Sequence, residues 1–335
     1  MSLPIVLLLY FISGAALVFF SMKCAEYVDL LDKKTNLSGA FIGGVILAAI
    51  TSLPELITSI SAVTVVNKPE LIIGNVLGSN VFNLVIFGAT TALSVKAFAN
   101  AKVGKSHLAT IICTIVADLL MLGTFIIGAS NTRIPYIQIN AASLIILVIY
   151  FISLKFLAND DNENDEEDNS SLTLKQIITR FIIMAVGLVA MSFAVTYFTD
   201  IIDEKLKLGA SFAGALFLGV VTSLPELSSS ITLVRKRNFN AMIGNVVGSN
   251  MFNFTIFSVA DFIAGKTPVY SLNPDKATLN MLYFGIISTV LVATSILLQR
   301  QFKKSNPTKG TKLAIYVVLG IAVCASYVTC MALSR

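Results

Sequence analysis

A proline and a glutamate interrupt an apolar run at residues 48 to 59, AAITSLPELITS. The pentapeptide TSLPE occurs again within GVVTSLPELSSS, residues 219 to 230. Each copy offers a threonine hydroxyl, a serine hydroxyl and a carboxylate within five residues. Hydroxyl, carbonyl and carboxylate oxygens, without sulfur or imidazole, are the ligands that hard cations such as Ca²⁺ and Na⁺ take. The residue types and their spacing therefore predict a cation site built on Glu55 and Glu226.

The prolines of the two copies, Pro54 and Pro225, predict a break in each apolar helix, because proline removes a backbone donor and clashes with the preceding turn. Such a break would free carbonyl oxygens around residues 48–50 and 218–220. At membrane depth, free carbonyls are tolerated only where protein or a water-filled cavity satisfies them, and a cation could do so. A structural kink is the alternative for one copy alone. Duplication with an intramembrane glutamate each time favours an ion site, because a buried unpaired charge is costly.

A second motif is also duplicated, as GNVLGSNVFN at residues 74–83 and GNVVGSNMFN at residues 244–253. Its glycines have the GxxxG spacing that lets helices approach closely, which predicts a packing role. Its polar residues recur at i, i+4 and i+8, so each copy presents one polar face. These faces consist of Asn75, Ser79 and Asn83 in the first copy and Asn245, Ser249 and Asn253 in the second. Asn80 and Asn250 lie away from these faces and are expected to hydrogen-bond between helices.

The elements that must position these motifs are membrane helices. Only 13% of the 335 residues are charged and the mean hydropathy is +0.83, whereas soluble domains have roughly 25% charged residues. The apolar runs are continuous and not alternating, which indicates helices rather than a barrel. The first run lacks a basic leader and is interpreted as a spanning helix, not a cleaved signal. Ten segments are predicted, at about 4–22, 37–63, 71–95, 107–129, 134–157, 174–198, 208–234, 241–264, 278–299 and 312–332.

The two halves of the chain are related in sequence. Residues 37–56 match residues 208–227 at 10 of 20 positions, and residues 72–87 match residues 242–257 at 11 of 16. Because each unit has five helices, an odd number, the second must be inverted in the membrane relative to the first. The predicted fold class is an all-α polytopic membrane protein with ten transmembrane helices in two inverted-topology five-helix repeats, with helices 2 and 7 broken. The repeats are residues 1–157 and 174–335, and residues 158–173 form an acidic linker.

Orientation follows from lysine and arginine. The loops after the odd-numbered helices, counted with the adjoining helix ends, hold 17 of these residues and the opposite face holds 7, and the richer side is expected to be cytoplasmic. Both termini would then be extracellular and the 158–173 linker cytoplasmic, in the plasma membrane. The net charge of +5 reflects this topology and the lipid bilayer, so no nucleic-acid partner is expected.

The motifs of the sequence do not indicate any class of enzyme. The chain has one histidine and four scattered cysteines, without metal-ligand spacing, an HExxH pair, a phosphate-binding loop or a dinucleotide fingerprint. Neither enzymatic activity nor a cofactor is therefore predicted. A cation channel is a remote alternative, since a channel could use paired carboxylates but would not need inverted halves with a broken helix in each.

With both motifs duplicated, the sequence resembles the Ca²⁺/cation antiporter superfamily, and within it the prokaryotic sodium/calcium exchangers, over essentially the whole chain. The resemblance implies that Glu55 and Glu226 are the principal Ca²⁺ ligands, helped by Thr51 and Thr222. It also implies that flanking Na⁺ sites are lined by Ser52, Ser79, Ser223, Ser249 and the carbonyls of Ala48 and Gly219. Asn83 and Asn253 would complete the centre.

Two departures from the family pattern affect this expectation. Ile50 and Val221 replace the glycine that usually precedes TSLPE, and β-branched residues stiffen the backbone there. Asn253 replaces an aspartate found in many exchangers, which argues against K⁺ dependence.

Only two carboxylates then remain in the centre, and one Ca²⁺, two Na⁺ or two protons would neutralise them. Ca²⁺/Na⁺ exchange is predicted, with exchange of Ca²⁺ or another divalent cation for H⁺ left open, and no oligomer is required.

Overall fold

The computed structural model describes residues 1–35, 49, 51–128, 132–134, 139–157, 172–264, 269–271, 274–305 and 308–335. The predicted ligand Ala48, the substituted Ile50 and most of the 158–173 linker lie outside these residues.

The described part of the chain is almost wholly helical. In chain order the elements are α1 Leu3–Thr35, α2 Leu53–Thr64, α3 Glu70–Leu93, α4 Val95–Asn100, α5 Ser106–Ile127, β1 Arg133–Ile134, β2 Ile139–Asn140, α6 Ala141–Leu157, α7 Leu174–Leu206, α8 Ala210–Ala213, a π-helical turn Gly214–Leu218, α9 Gly219–Thr222, α10 Leu224–Arg235, α11 Phe239–Ala264, a 3₁₀ turn Val269–Ser271, α12 Lys276–Ser305 and α13 Lys309–Ser334. Each of the ten predicted segments overlaps one or more of these helices.

Seven helices within the described ranges are long and apolar enough to cross a membrane, and an eighth span results if a bent pair is counted as one. The protein is therefore a helical membrane protein. The remaining two segments are represented by α2, with 12 residues, and α6, with 17 residues. The count of ten spans stays a prediction.

The predicted break in helix 7 is confirmed. The stretch Ala210–Thr222 and α10 meet at an angle of 42°, and α10 begins at Leu224 with Pro225 in its first turn. In the first copy α2 begins at the equivalent Leu53, with Pro54 in its first turn. Proline is tolerated there because the first-turn N–H groups have no intrahelical acceptor. The two copies of TSLPE thus start their helices at the same point.

The predicted start of helix 5 at residue 134 is wrong, since α6 begins at Ala141. Residues Arg133–Ile134 instead pair in antiparallel register with Ile139–Asn140. The Asn140 side-chain oxygen accepts a 2.9 Å hydrogen bond from the Ala142 N–H, an N-cap that fixes the helix start. Asp261 of α11 accepts hydrogen bonds from the Asn140 N–H at 2.8 Å and the Ser143 hydroxyl at 2.9 Å. A carboxylate from another helix therefore holds this end of α6.

The motif helices α3 and α11 lie at the centre of the bundle. In the most apolar 18-residue stretch of each helix, 89% of the residues of α3 and 78% of those of α11 are buried. The corresponding shares are 28% for α1 and 22% for α7. The outer helices α1 and α7 pack against each other, with Phe20 covering Gly187. A two-layer arrangement follows, in which a buried core carries the polar motifs and a pair of apolar helices lies outside it.

Glycine sets the distance between α3 and the broken helix. A Cβ atom on Gly78 would lie 2.8 Å from Cβ of Ala215, and one on Gly74 would meet the backbone of Ser211 and Gly214. The predicted packing role of GxxxG is therefore confirmed for the first copy. This close approach brings the polar face of α3 beside the second TSLPE motif.

Candidate cation site

Each of two buried glutamates accepts a hydrogen bond from a serine in the opposite half of the chain. Glu55 and Glu226 are both fully buried. The Ser52 hydroxyl donates to Oε1 of Glu226 at 3.1 Å, and the Ser223 hydroxyl donates to Oε1 of Glu55 at 3.1 Å. Each carboxylate is thus held by the serine of the opposite copy of the motif.

Local sequence alone would favour a different use of these serines. Ser52 and Ser223 occupy the N-cap positions of α2 and α10, with a glutamate three residues later, the pattern of a capping box. Neither side chain makes a capping hydrogen bond, because each hydroxyl is directed to the other half. The N-cap backbone geometry is nearly the same in both, with φ near −90°.

A second pair of crossed contacts links the threonines to the serines of the other motif. The Thr51 and Ser249 hydroxyl oxygens are 3.4 Å apart, and those of Thr222 and Ser79 are 3.3 Å apart. The Ser79 hydroxyl also lies within hydrogen-bond distance of the Gly219 carbonyl, at 3.2 Å. A hydroxyl, a carbonyl and a second hydroxyl therefore converge beside Glu55.

The asparagines form a third crossed pair. The Asn83 amide donates to the Asn250 side-chain oxygen at 3.0 Å, and the Asn253 amide donates to the Asn80 side-chain oxygen at 3.0 Å. The predicted interhelical hydrogen bonds of Asn80 and Asn250 are thereby confirmed. Because their amide groups are engaged in this way, the side-chain oxygens of Asn83 and Asn253 are oriented by the protein.

At the centre of this site, four buried acceptor oxygens among the described residues have no hydrogen-bond partner. They are Oε2 of Glu55, Oε2 of Glu226, Oδ1 of Asn83 and Oδ1 of Asn253. Buried acceptors without a donor are expensive in a folded protein. Acceptors with no donors among them suit a cation. These four ligand oxygens therefore fit a hard cation as the transported ion.

Asn75 and Asn245 have a positioning role that the sequence analysis did not separate from ligand binding. The Asn75 amide donates to the Thr58 and Ser59 hydroxyls, each at 2.9 Å, and to the Glu55 carbonyl at 3.1 Å. In the other half, the Asn245 amide donates to Ser229 at 3.3 Å. Each asparagine thus clamps the helix that carries the glutamate of its own half.

Every predicted ligand among the described residues is buried and takes part in one of these hydrogen-bonded contacts. They are Thr51, Ser52, Glu55, Ser79, Asn83, Gly219, Thr222, Ser223, Glu226, Ser249 and Asn253. Within the described residues no group of three or more histidine, cysteine or acidic side chains is placed to hold a metal ion. No ion pair of the described part of the chain involves either glutamate. Two carboxylates that are buried without a basic partner among the described residues suit bound cations or protons.

Contacts between the outer helix α1 and the broken helix were not predicted. The Tyr10 hydroxyl donates to the Phe217 carbonyl, in the π-helical turn, at 2.7 Å. A Cβ atom on Gly14 would lie 3.2 Å from Cγ1 of Val221, so the valine that replaces the usual glycine packs against α1. A single tyrosine in an apolar helix gives no sequence signal for such a contact.

The helical fold and the buried, symmetrically paired carboxylates define a membrane transporter of cations. The family described as sodium/calcium exchanger protein matches residues 5–158 and 177–335, so the chain belongs to that family of cation/Ca²⁺ exchangers. An uncharacterised membrane protein of Methanocaldococcus jannaschii is 25% identical over 317 residues, covering 92% of this chain and 95% of the relative. The inner membrane protein YrbG of Escherichia coli is 24% identical over 261 residues, 73% of this chain and 76% of YrbG.

Solved structures share the fold. The H⁺/Ca²⁺ exchanger CAX superposes with a TM-score of 0.68 at 14% identity, over 98% of this chain and 90% of CAX. The sodium-calcium exchanger NCX_Mj superposes with a TM-score of 0.58 at 21% identity, over 99% of both chains. At these identities the likeness concerns the fold.

Proposed function

We propose that the protein is a secondary antiporter that exchanges Ca²⁺ for Na⁺ by alternating access, with the ions bound at mid-membrane between its two halves. The crossed hydrogen bonds of Glu55 and Glu226 carry this proposal. They bring one carboxylate from each half into a common site, and no ion pair of the described residues balances its charge. Ten spans in two inverted repeats, residues 1–157 and 174–335 with the linker at 158–173, account for the mirrored contacts.

Calcium would bind between the two glutamates. Their unpartnered Oε2 atoms, with the side-chain oxygens of Asn83 and Asn253, supply four of the roughly six to eight oxygens that Ca²⁺ takes. The Thr51 and Thr222 oxygens lie in the hydrogen-bond network beside them and extend this set.

Sodium would bind at flanking positions. Ser79 and the Gly219 carbonyl meet on one side, together with Ser223, and Ser249 lies on the other with Ser52. The Ala48 carbonyl is proposed as the counterpart of Gly219 by the repeat. Sodium and calcium would share the glutamates, so occupation by one excludes the other.

Charge balance explains obligatory exchange. One Ca²⁺ or two Na⁺ neutralise the two carboxylates, whereas the empty site would carry two buried negative charges. Moving such a site through the membrane without compensation is costly. The outer helices α1 and α7 contribute few polar groups to the centre and would move against the buried core. Both termini are proposed to be extracellular and the linker cytoplasmic, in the plasma membrane.

Exchange of Ca²⁺ for H⁺ is the second candidate, because two protons neutralise Glu55 and Glu226 as well as two Na⁺ do. The decisive experiment is Ca²⁺ uptake into proteoliposomes with either internal Na⁺ at equal pH or a pH gradient without Na⁺, at constant K⁺. Uptake that requires internal Na⁺ is expected. Uptake driven by protons alone would assign the coupling to protonation, and Ca²⁺ flux without any counter-ion would indicate a channel.

The variants Glu55→Gln and Glu226→Gln test the site itself. Each is expected to abolish coupled uptake while the protein still folds, because a neutral amide keeps the shape of the side chain but not its charge. Glu70→Gln, at the start of α3 and outside the polar network, is the matched control and should transport normally. Robust Ca²⁺ flux in the double glutamine variant would contradict the site assignment.

A further inference from the structure

A basic cavity lies at the end of α12, remote in sequence from the cation motifs. It has a volume of about 790 Å³ and is widely open to the surface. Its lining includes Lys102 from the segment after α4 and Arg300 and Lys303 from α12. Three positive side chains therefore border one open cavity.

The wall of this cavity is held in place by hydrogen bonds between the two segments. The Gln299 amide donates to the Ala101 carbonyl at 2.6 Å and to the Phe98 carbonyl at 3.3 Å. The Lys303 ammonium also donates to the Ala101 carbonyl, at 2.5 Å. The segment after α4 is thus fastened to α12, and the cavity is a built feature of the fold.

The charges of the cavity favour an anion. Lys102, Arg300 and Lys303 line the same cavity, so their like charges repel. Among the ion pairs of the described residues, none involves Lys102, Arg300 or Lys303. A phosphate group bound between these side chains would relieve the repulsion and accept hydrogen bonds from them.

The Gln299 side chain offers the cavity a buried acceptor that a hydroxyl group could satisfy. The residue is 1% exposed and lines the cavity, and its side-chain oxygen has no hydrogen-bond partner. A buried acceptor without a donor is unfavourable. A ligand with a hydroxyl near its phosphate would satisfy it.

The position of the cavity favours a lipid over a soluble phosphate. Leu297, also part of the lining, is 53% exposed and lies one turn before Arg300 in the apolar span Lys276–Lys303. An apolar surface therefore precedes the basic side chains along the helix. This order matches an acyl chain followed by a phosphate at the membrane boundary.

We propose that this cavity binds an anionic phospholipid with a hydroxylated headgroup, of which phosphatidylglycerol is the simplest. The phosphate lies between Lys102, Arg300 and Lys303, the headgroup hydroxyl donates to Gln299, and an acyl chain covers Leu297. The bound lipid ties the segment after α4 to the end of α12.

Native mass spectrometry of the purified full-length protein tests the proposal, with phosphatidylglycerol and phosphatidylcholine titrated into delipidated samples. The double variant Lys102→Gln/Arg300→Gln removes two charges but keeps Lys303, which fastens the wall. It is expected to bind phosphatidylglycerol about thirtyfold more weakly, at roughly fivefold per basic residue. The control Lys96→Gln/Lys175→Gln, two exposed basic residues outside the cavity, should bind as the wild type does.

Two comparisons separate the lipid from other anions. The wild type should prefer phosphatidylglycerol to phosphatidic acid, which lacks the headgroup hydroxyl, and equal binding of the two lipids would contradict the contact with Gln299. Equal binding by the double variant and the wild type would overturn the proposal, as would an equal loss in the control. Displacement of the lipid by millimolar glycerol 3-phosphate would show that the cavity takes a soluble phosphate, and would also overturn it.

Discussion

The Ser223 hydroxyl donates a 3.1 Å hydrogen bond to Glu55, a residue 168 positions away in the chain. The reciprocal bond, from Ser52 to Glu226, has the same length. The two copies of TSLPE are therefore joined by reciprocal hydrogen bonds. Each half of the protein supplies a hydrogen-bond donor to the carboxylate of the other half. A site of this kind depends on both halves equally.

Ser52→Ala and Ser223→Ala are expected to impair transport to a similar extent. Each removes a donor to a buried carboxylate, and hydrogen bonds to charged groups are worth about 1.5–3 kcal/mol. We therefore expect the apparent affinity for the ion that drives exchange to fall at least tenfold, measured as a rise in its KM in proteoliposomes. Thr64→Val is the control, because the Thr64 hydroxyl is exposed and bonds only to the Ile60 carbonyl of its own helix. An unaffected KM in one serine variant would contradict the equivalence of the two halves.

Gly219→Ala should impair both folding and transport. A Cβ atom there would lie 2.8 Å from the Ser79 nitrogen and 3.0 Å from the Gly78 carbonyl carbon, so α3 and α9 must separate. Overpacking of this kind costs about 1–3 kcal/mol, and the separation displaces the Ser79 hydroxyl from Glu55. Thermal unfolding and Ca²⁺ uptake would both report it.

Gly123→Ala is the matched control for that substitution, because a Cβ atom on Gly123 meets no atom within 4 Å. Alanine is favoured over glycine in a helix by about 1 kcal/mol, so this variant should be at least as stable as the wild type. Equal thermal stability of the two alanine variants would show that close packing at Gly219 is unimportant.

The candidate site was largely predictable from sequence because it is duplicated. Glu55 and Glu226 stand out as charges in apolar runs, and each recurs with the same hydroxyl neighbours. The partners were not predictable, since a local pattern assigns Ser52 to its own helix as a cap whereas the fold directs it to Glu226. Likewise, the polar faces of α3 and α11 do not show that Asn75 clamps a helix.

Helix positions followed from hydropathy, but boundaries depended on contacts from other helices. The run before α6 is apolar enough to continue that helix toward its N-terminus. The start at Ala141 is set by the Asn140 cap and by Asp261. Asp261 lies 121 residues away in sequence, so no local pattern indicates its part in this boundary.

Lys68 should contribute a pH-dependent ion pair between the end of α2 and α7. It pairs with Asp200 and with Glu204, the latter at 3.4 Å. Burial alone lowers the pKa of Lys68, but the hydrogen bonds and charges of Asp200 and Glu204 outweigh it and raise the pKa. The stabilisation is therefore complete below the unfolded lysine pKa of about 10.4 and is lost as pH rises through the higher folded value.

The variant Lys68→Gln should lower thermal stability at pH 7 by no more than about 1 kcal/mol, since the pair is partly exposed. The difference from the wild type should shrink as pH approaches 11. Lys23→Gln, which breaks the more exposed Lys23–Glu26 pair within α1, should have a smaller effect. A stability difference for Lys68→Gln that is constant across this range would rule out the ion pair as its cause.

Tyr10→Phe tests whether α1 moves against the core during transport. The tyrosine hydroxyl bonds the Phe217 carbonyl in the π-helical turn, so it favours the arrangement seen in this structure. A single hydrogen bond is worth about 0.5–1.5 kcal/mol, and its loss should speed departure from this arrangement. We expect a turnover rate about two- to tenfold higher in proteoliposomes, with thermal stability monitored in parallel. Tyr197→Phe, on exposed α7, should leave turnover unchanged. A Tyr10→Phe rate equal to or below that of the wild type would show that this contact does not restrain the transport cycle.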